Sequence, residues 1–398
     1  SRPVFRGWGR VYVLLGKKGR GLPKDLDFNL TNDNPANDGD MFTLWTQRNF
    51  AALGSVLSTG DVDGDGMDDL LLGSPMCPPG DGSLSMSGRI WAVQTSSSPS
   101  PRSANVDKAA ILSIAGTRHL EWFGQDLAVV PGYYNTAPLL VVGAPYHRHN
   151  DSCDRNVNAT CVMDGRIYGY ALAQKGRTAS LQFSISGTVG QSALMGRQMD
   201  VNAAADLVAF SSPDDGDKLS GSVTILRASA LSKLTGDVRI DVLQAAAKAA
   251  VLHGISPYGR FGWTMKFVQI RAGSKEWLVA AAPMYTENWQ LSSQRELGAI
   301  YAWSGDQLAA WIGGNKTTEW STTSATWYVV GDRPKARMGT AFSAFVGNGT
   351  LVVGSPRASS VEVGSTVGSV DLFALHQQPL QANTAAATIN AGSRRSRL

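Results

Sequence analysis

Charged residues are scarce in this chain: Asp, Glu, Lys and Arg make up 17 % of its 398 residues and leave a net charge of +4. No basic stripe interleaves with aromatics, so nucleic-acid binding is unsupported. The one basic cluster, Ser393-Arg394-Arg395-Ser396-Arg397-Leu398, reads as a tail. No apolar run is long enough to span a membrane, and the first residues do not read as a signal peptide. The chain opens on Ser rather than Met, and an N-terminal part of a longer protein is expected upstream. Long windows with a 3.6-residue apolar period are few. The best helix candidate, Ala-rich Val242 to Leu252, reads as a surface insertion or an unusual strand.

Signatures of catalysis are also missing. No Gly-X-Ser-X-Gly follows a strand and opens a helix. Gly19-Arg20-Gly21 and Gly313-Gly314 are turns, and no Gly-Lys-Ser/Thr stands in a phosphate-loop context. His147 and His149 have only Asp151 and Cys153 nearby as further ligands, so they read as a polar loop and not as a zinc site. His119, His253 and His376 are isolated. Of the eleven Trp residues, most suit strands and core, and Trp289 and Trp327 are candidates for a ligand surface.

Cysteine is limited to three residues. Cys153 and Cys161 bracket the polar stretch Asp154 to Thr160 and are expected to form a local disulfide in an oxidising compartment, leaving Cys77 over. Five Asn-X-Ser/Thr sequons occur, at Asn29, Asn150, Asn158, Asn315 and Asn348. Two of them flank or lie inside the Cys153–Cys161 loop. Together these features favour a secreted, extracellular glycoprotein.

What the chain has in abundance is Gly, 43 residues, with 17 Pro, and these fall in a repeat. A hydrophobic residue plus Gly opens each unit: Leu53-Gly54, Phe123-Gly124, Met195-Gly196, Phe261-Gly262 and Met338-Gly339. A middle strand ends in two small residues and Pro: Gly73-Ser74-Pro75, Gly143-Ala144-Pro145, Ser211-Ser212-Pro213, Ala281-Ala282-Pro283 and Gly354-Ser355-Pro356. A Gly-led strand follows at Gly88, Gly165, Gly221, Gly298 and Gly368. A four-stranded unit cannot bury both of its faces alone. Units arranged radially about an axis can, which predicts an all-β fold, a β-propeller of four-stranded blades. Five complete blades are expected here, preceded by one orphan strand at Gly9-Arg10-Val11-Tyr12-Val13-Leu14, with seven blades in the full protein. The propeller is assigned to residues 1–376, its first blade incomplete, and residues 377–398 to a disordered C-terminal tail.

The first unit also carries Asp61-Val62-Asp63-Gly64-Asp65-Gly66-Met67-Asp68-Asp69. Asp61, Asp63 and Asp65 alternate as Ca²⁺ ligands do, Gly66 allows a sharp turn, Met67 can offer its carbonyl, and Asp69 can close the shell. An EF-hand is excluded, because its twelfth loop position would be Leu72 and because strands, not helices, flank the loop. The expectation is one structural Ca²⁺ held between two strands, with Asp68 turned away. Asp200 to Asp206 keeps acidic ends without the middle carboxylate, and the loops Val130 to Ala137, Gln269 to Lys275 and Val346 to Thr350 have no Asp series.

Phe123-Gly124, Gly143-Ala144-Pro145 and the Asp61–Asp69 loop resemble the FG-GAP repeat of the integrin α-like propellers. The order Trp122-Phe123-Gly124, Leu139 to Pro145, Gly165 to Tyr170 and Phe183 to Gly187, with the opening Gly9 to Gly19, looks like the C-terminal propeller of the glycosylphosphatidylinositol-specific phospholipase D family. That resemblance implies a non-catalytic propeller attached to an upstream zinc-dependent hydrolase domain that acts on GPI-anchored proteins, with no catalytic residue in this chain. The alternative is an integrin α-like adhesion or ligand-binding propeller with no enzyme attached.

Overall fold

A computed structural model describes residues 9–14, 41–79, 86–95, 103–134, 137–148, 162–188, 192–202, 204, 206–216, 218–247, 249–270, 273–312, 318–345, 349–358, 368–375 and 387–390. All five sequons, Cys153, Cys161 and His149 lie outside these residues. The chain falls into two compact units, Ser1–Ala144 with Gly169–Leu181, and Pro145–Tyr168 with Gln182–Leu398.

The fold is all-β, built of four-stranded antiparallel blades. Blade I has strands Val56–Gly60, Asp69–Ser74, Arg89–Val93 and Leu112–Ala115, paired in chain order. Blade II begins with Asp126–Tyr134 and Ala137–Ala144 and continues through Arg166–Ala173 and Thr178–Ser186. Blade III is Met199–Asn202, Leu207–Ser212, Ser222–Arg227 and Ala250–His253. Blade IV is Thr264–Val268, Trp277–Ala282, Ala299–Trp303 and Trp327–Val330. Blade V is Ala341–Phe345, Thr350–Ser355, Ser369–Ala374 and Ala387–Asn390.

Why each repeat begins with Gly and ends its middle strand with small residues follows from two contacts. The N–H of the opening Gly donates to the carbonyl of the first small residue before Pro: Gly124 to Gly143 (2.9 Å), Gly196 to Ser211 (3.1 Å), Gly262 to Ala281 (3.0 Å) and Gly339 to Gly354 (3.1 Å). The Gly that leads the third strand lies against the backbone of the next opening residue. A Cβ on Gly88 would stand 2.0 Å from the Phe123 carbonyl oxygen, one on Gly221 2.2 Å from that of Phe261, and one on Gly298 2.2 Å from that of Met338. No side chain fits there, so the repeat keeps Gly for close approach of neighbouring blades.

Three expectations are corrected. The orphan strand has a partner within the chain: Arg10–Leu14 pairs antiparallel with Met41–Trp45, from Arg10↔Trp45 to Leu14↔Met41. Met41-Phe42-Thr43-Leu44-Trp45 stands outside the repeated motif, so pattern matching passed it by. The segment 377–398 is not all tail, because Ala387–Asn390 is the fourth strand of blade V. The candidate helix is split: Ile240–Ala247 is helical and Ala250–His253 closes blade III.

The insertions between third and fourth strands do a further job that the motif does not announce. In blades I, III and IV the insertion adds a short parallel strand to the preceding sheet. Ala104–Asn105 joins Met41–Trp45, Gly236–Arg239 joins Phe183–Ser186, and Thr318–Ser321 joins Ala250–His253. The outer edge of each of those sheets is thereby covered. In the first unit Asp107 fixes this crossover by accepting from Arg48 Nε (2.8 Å), Thr46 Oγ1 (3.0 Å) and Trp91 Nε1 (3.1 Å). Burial works against its charge, but these bonds prevail and hold the carboxyl below its ordinary range.

Burial distinguishes the blades. Leu71, Leu72 and Trp91 pack in blade I, and Val279, Ala280, Ala281 and Ile300 in blade IV, with both faces of the middle strands covered. Blade V alternates: Leu351, Val353 and Phe373 are buried with Trp327 and Met338, while Val352 and Leu372 are half-exposed. Among the described residues, no helix is long and apolar enough to cross a membrane.

Candidate metal centre

The first two strands of blade I end on Gly60 and begin again on Asp69, which are register partners. The eight residues between must reverse the chain, and Gly64 (φ +79°) and Gly66 (φ +86°) supply the left-handed positions. The turn brings Asp61, Asp63 and Asp65 together, with one carboxylate oxygen of each within 4.8 Å of the others. Backbone donors arrange them. Gly64 N–H (2.6 Å) and Gly66 N–H (2.9 Å) donate to Asp61, Asp65 N–H to Asp63 (3.1 Å), and Met67 N–H to Asp65 (2.8 Å). From the third strand, Gln94 Nε2 donates to Asp63 Oδ2 (2.5 Å). Among the described residues, no other group of three or more His, Cys, Asp or Glu side chains converges in this way.

Asp69, expected to close the shell, is not in the group. It is buried, accepting from Val62 N–H (3.3 Å) and Thr95 N–H (3.0 Å), and so ties the base of the loop to the end of the third strand. Burial pushes its carboxyl above the ordinary range. The two N–H bonds oppose this, and the charges of Asp63 and Asp65 add to it. Asp68 accepts from Thr59 Oγ1 (3.1 Å) at the loop's other edge. The Met67 side chain is exposed. The three clustered carboxylates are hard oxygen donors in a turn, which suits Ca²⁺. Like charges about 4 Å apart near a surface repel by roughly 1–4 kcal/mol per pair, and a bound cation would reverse the sign of that interaction.

The matching place in blade III is organised differently. Asp200 lies inside a strand, where it accepts from Phe267 N–H (2.6 Å) and Val201 N–H (3.0 Å). Burial nevertheless raises its pKa above the ordinary value, and burial together with the Asp200 charge raises that of Glu276. Asp206 accepts from Ser229 N–H (2.7 Å) and Ser229 Oγ (2.7 Å). Neither carboxylate meets a third.

Other candidates resolve individually. His147 is not part of a polar loop: it is fully buried, its Nδ1 3.8 Å from Asp164 Oδ1 and its ring edge-on to Tyr168. Trp327 is core, packed on Phe373, whereas Trp289 is exposed beside Tyr258. Cys77 is buried and free. One site escaped the motif search. A cavity of about 360 Å³ in the second unit is lined by Val329, Met338 and Phe373 and by an ion pair in which Arg333 Nη2 donates to both oxygens of Asp371 (2.9 and 2.8 Å). The signal was present in the sequence. Asp371 stands three residues after the leading Gly, where blades I, II and IV carry Trp91, Tyr168 and Tyr301.

Comparison with known proteins agrees with this repeat. The FG-GAP repeat is matched at residues 53–91, the stretch that contains the acidic loop. The chain is 25 % identical over 324 residues to the phosphatidylinositol-glycan-specific phospholipase D of Bos taurus and 24 % over 330 residues to that of Homo sapiens. Each match takes in 79 % of this chain but 36 % of the relative, so the chain spans about a third of the length of the curated relatives it matches. The chain carries an FG-GAP repeat, and most of its length resembles a region of phosphatidylinositol-glycan-specific phospholipase D.

Proposed function

We propose that this chain is the propeller region of a secreted phosphodiester hydrolase of the phosphatidylinositol-glycan-specific phospholipase D kind, and that it supports catalysis without performing it. The observation that carries this reading is the breadth of the similarity: it runs through most of the chain while covering only about a third of the relatives. The remainder of such a protein would hold the catalytic domain, with its zinc, and would act on GPI-anchored proteins. Phosphodiester hydrolysis needs groups that activate water and stabilise charge at phosphorus. In this chain the acidic triad already receives four backbone N–H bonds from its own turn and one from Gln94, an arrangement suited to holding a loop.

Asp61, Asp63 and Asp65 would hold one Ca²⁺, with the Met67 carbonyl as a further donor; the ion would supply the positive charge that lets the three carboxylates share the turn. Its role is structural, since the loop joins the first and second strands of blade I. The test is release of a GPI-anchored protein by this chain and by a form extended at its N-terminus. The expected result is activity in the extended form alone. Activity of the short chain that survives Asp61→Ala and Asp65→Ala would overturn the non-catalytic role, and activity in neither form would favour an adhesion propeller.

A further inference from the structure

We propose that the second unit carries a surface that seats on a lipid bilayer, built from the loops 254–262 and 284–298. Four large apolar side chains project there: Ile255 is 50 % exposed, Tyr258 50 %, Trp289 41 % and Leu291 48 %. The Tyr258 and Trp289 rings meet edge to face at 5.7 Å, so the two loops present one apolar tip. In a core or a protein groove, aromatics of this size would be covered; here they stand out from loop ends.

The tip is fixed from below by the main chain. Tyr258 N–H donates to the Lys218 carbonyl (2.6 Å), and the Trp289 carbonyl accepts from both Nε (2.8 Å) and Nη2 (2.5 Å) of Arg295. Leu291 N–H closes a turn onto the Asn288 carbonyl (3.3 Å), and Lys335 N–H donates to the Arg295 carbonyl (2.9 Å). These bonds place three exposed cations, Lys218, Arg295 and Lys335, on the chain segments that adjoin the apolar residues. The preorganised backbone means that little ordering remains to be done on contact.

The composition matches a bilayer surface better than a protein partner. Trp and Tyr combine an apolar ring with a polar tip and sit at the headgroup level of membranes, aliphatic side chains enter the acyl boundary, and Lys and Arg meet anionic headgroups. Lys, by contrast, is depleted in protein interfaces. Glu287 and Asp332 are exposed on the same loops and on the 331–339 loop. They weaken the electrostatic attraction, so the apolar residues carry the binding and the cations bias it toward anionic lipid. This inference does not rest on the calcium loop or on the hydrolase reading.

The experiment is co-sedimentation of the full chain with vesicles of phosphatidylcholine alone and of phosphatidylcholine with phosphatidylserine, repeated at raised salt. The expected result is binding to both, stronger with phosphatidylserine, with only that increment lost in salt. Trp289→Ser with Leu291→Ser should weaken binding to both vesicles by roughly tenfold or more, with an unchanged melting temperature. Lys218→Glu with Lys335→Glu should remove only the phosphatidylserine preference. No sedimentation with either vesicle would overturn the proposal, and so would binding that the folded Trp289→Ser, Leu291→Ser variant retains in full. Retention on immobilised glycan without vesicle binding would reassign the tip to carbohydrate.

Discussion

In blade I the turn between Gly60 and Asp69 gathers Asp61, Asp63 and Asp65; at the same place in blade III, Asp200 sits within a strand and Asp206 bonds Ser229. Both loops are acidic, and both occupy one position of one repeat. The difference is in what surrounds each carboxylate. Asp200 accepts from two backbone N–H groups and Asp206 from the N–H and Oγ of Ser229, and neither belongs to a cluster of three acidic side chains. The three aspartates of blade I also receive N–H bonds, yet share a space within 4.8 Å. The fold gathers three carboxylates at one turn in blade I and keeps those of blade III apart.

The widest divergence between the two loops should appear on removing calcium. At a free ion concentration of about 100 times its dissociation constant, the ion adds roughly 2.7 kcal/mol to stability. Chelation should therefore lower the melting temperature of the chain, and Asp65→Ala should abolish that response, read by thermal denaturation with and without chelator.

Asp200→Ala should cost about 1–3 kcal/mol, because it leaves the Phe267 and Val201 N–H groups unpaired. Denaturant titration should give the same loss with calcium or chelator, and a calcium-dependent loss would erase the contrast between the blades. Asp206→Ala should cost about 0.5–1.5 kcal/mol, since Ser229 is more open to water.

The smallest effect concerns pH. Burial raises the Asp200 pKa in the folded chain above its unfolded value. The stability this contributes is complete below the ordinary carboxylate range near 4 and is lost as pH rises through the raised value. Asp200→Asn cannot ionise, so the wild type should lose stability relative to this variant as pH climbs from about 4, measured by denaturant titration across that range.

Much of this architecture was legible in the residues. The Gly that leads the third strand recurs because the next opening residue's backbone lies against it, and a Cβ on Gly88, Gly221 or Gly298 would clash with a carbonyl oxygen; such a constraint leaves an identical mark. The added strands at Ala104, Gly236 and Thr318 left no such mark, because they pair at sheet edges, where many sequences serve, and Met41–Trp45, although its Phe42 and Leu44 are core, lacks the Gly and Pro signals of the repeat. Strand Ala387–Asn390 was hidden for the same reason. Within the loop, alternation singled out Asp61, Asp63 and Asp65, which the fold brings together, but spacing could not show that Asp69 is a buried acceptor outside that group. That distinction at Asp69 depends on Thr95, which is 26 residues away in sequence. The Arg333–Asp371 pair depends equally on tertiary packing, although the break in the aromatic series at Asp371 pointed to it.

The most direct test of the calcium assignment is calorimetric titration of Ca²⁺ into the full chain, its Asp63→Ala and Asp65→Ala variants, and Asp200→Ala. The expected result is one ion bound per chain, lost in both blade I variants and retained in Asp200→Ala. No binding by the wild-type chain, or equal binding by the Asp63→Ala and Asp65→Ala variants, would contradict it.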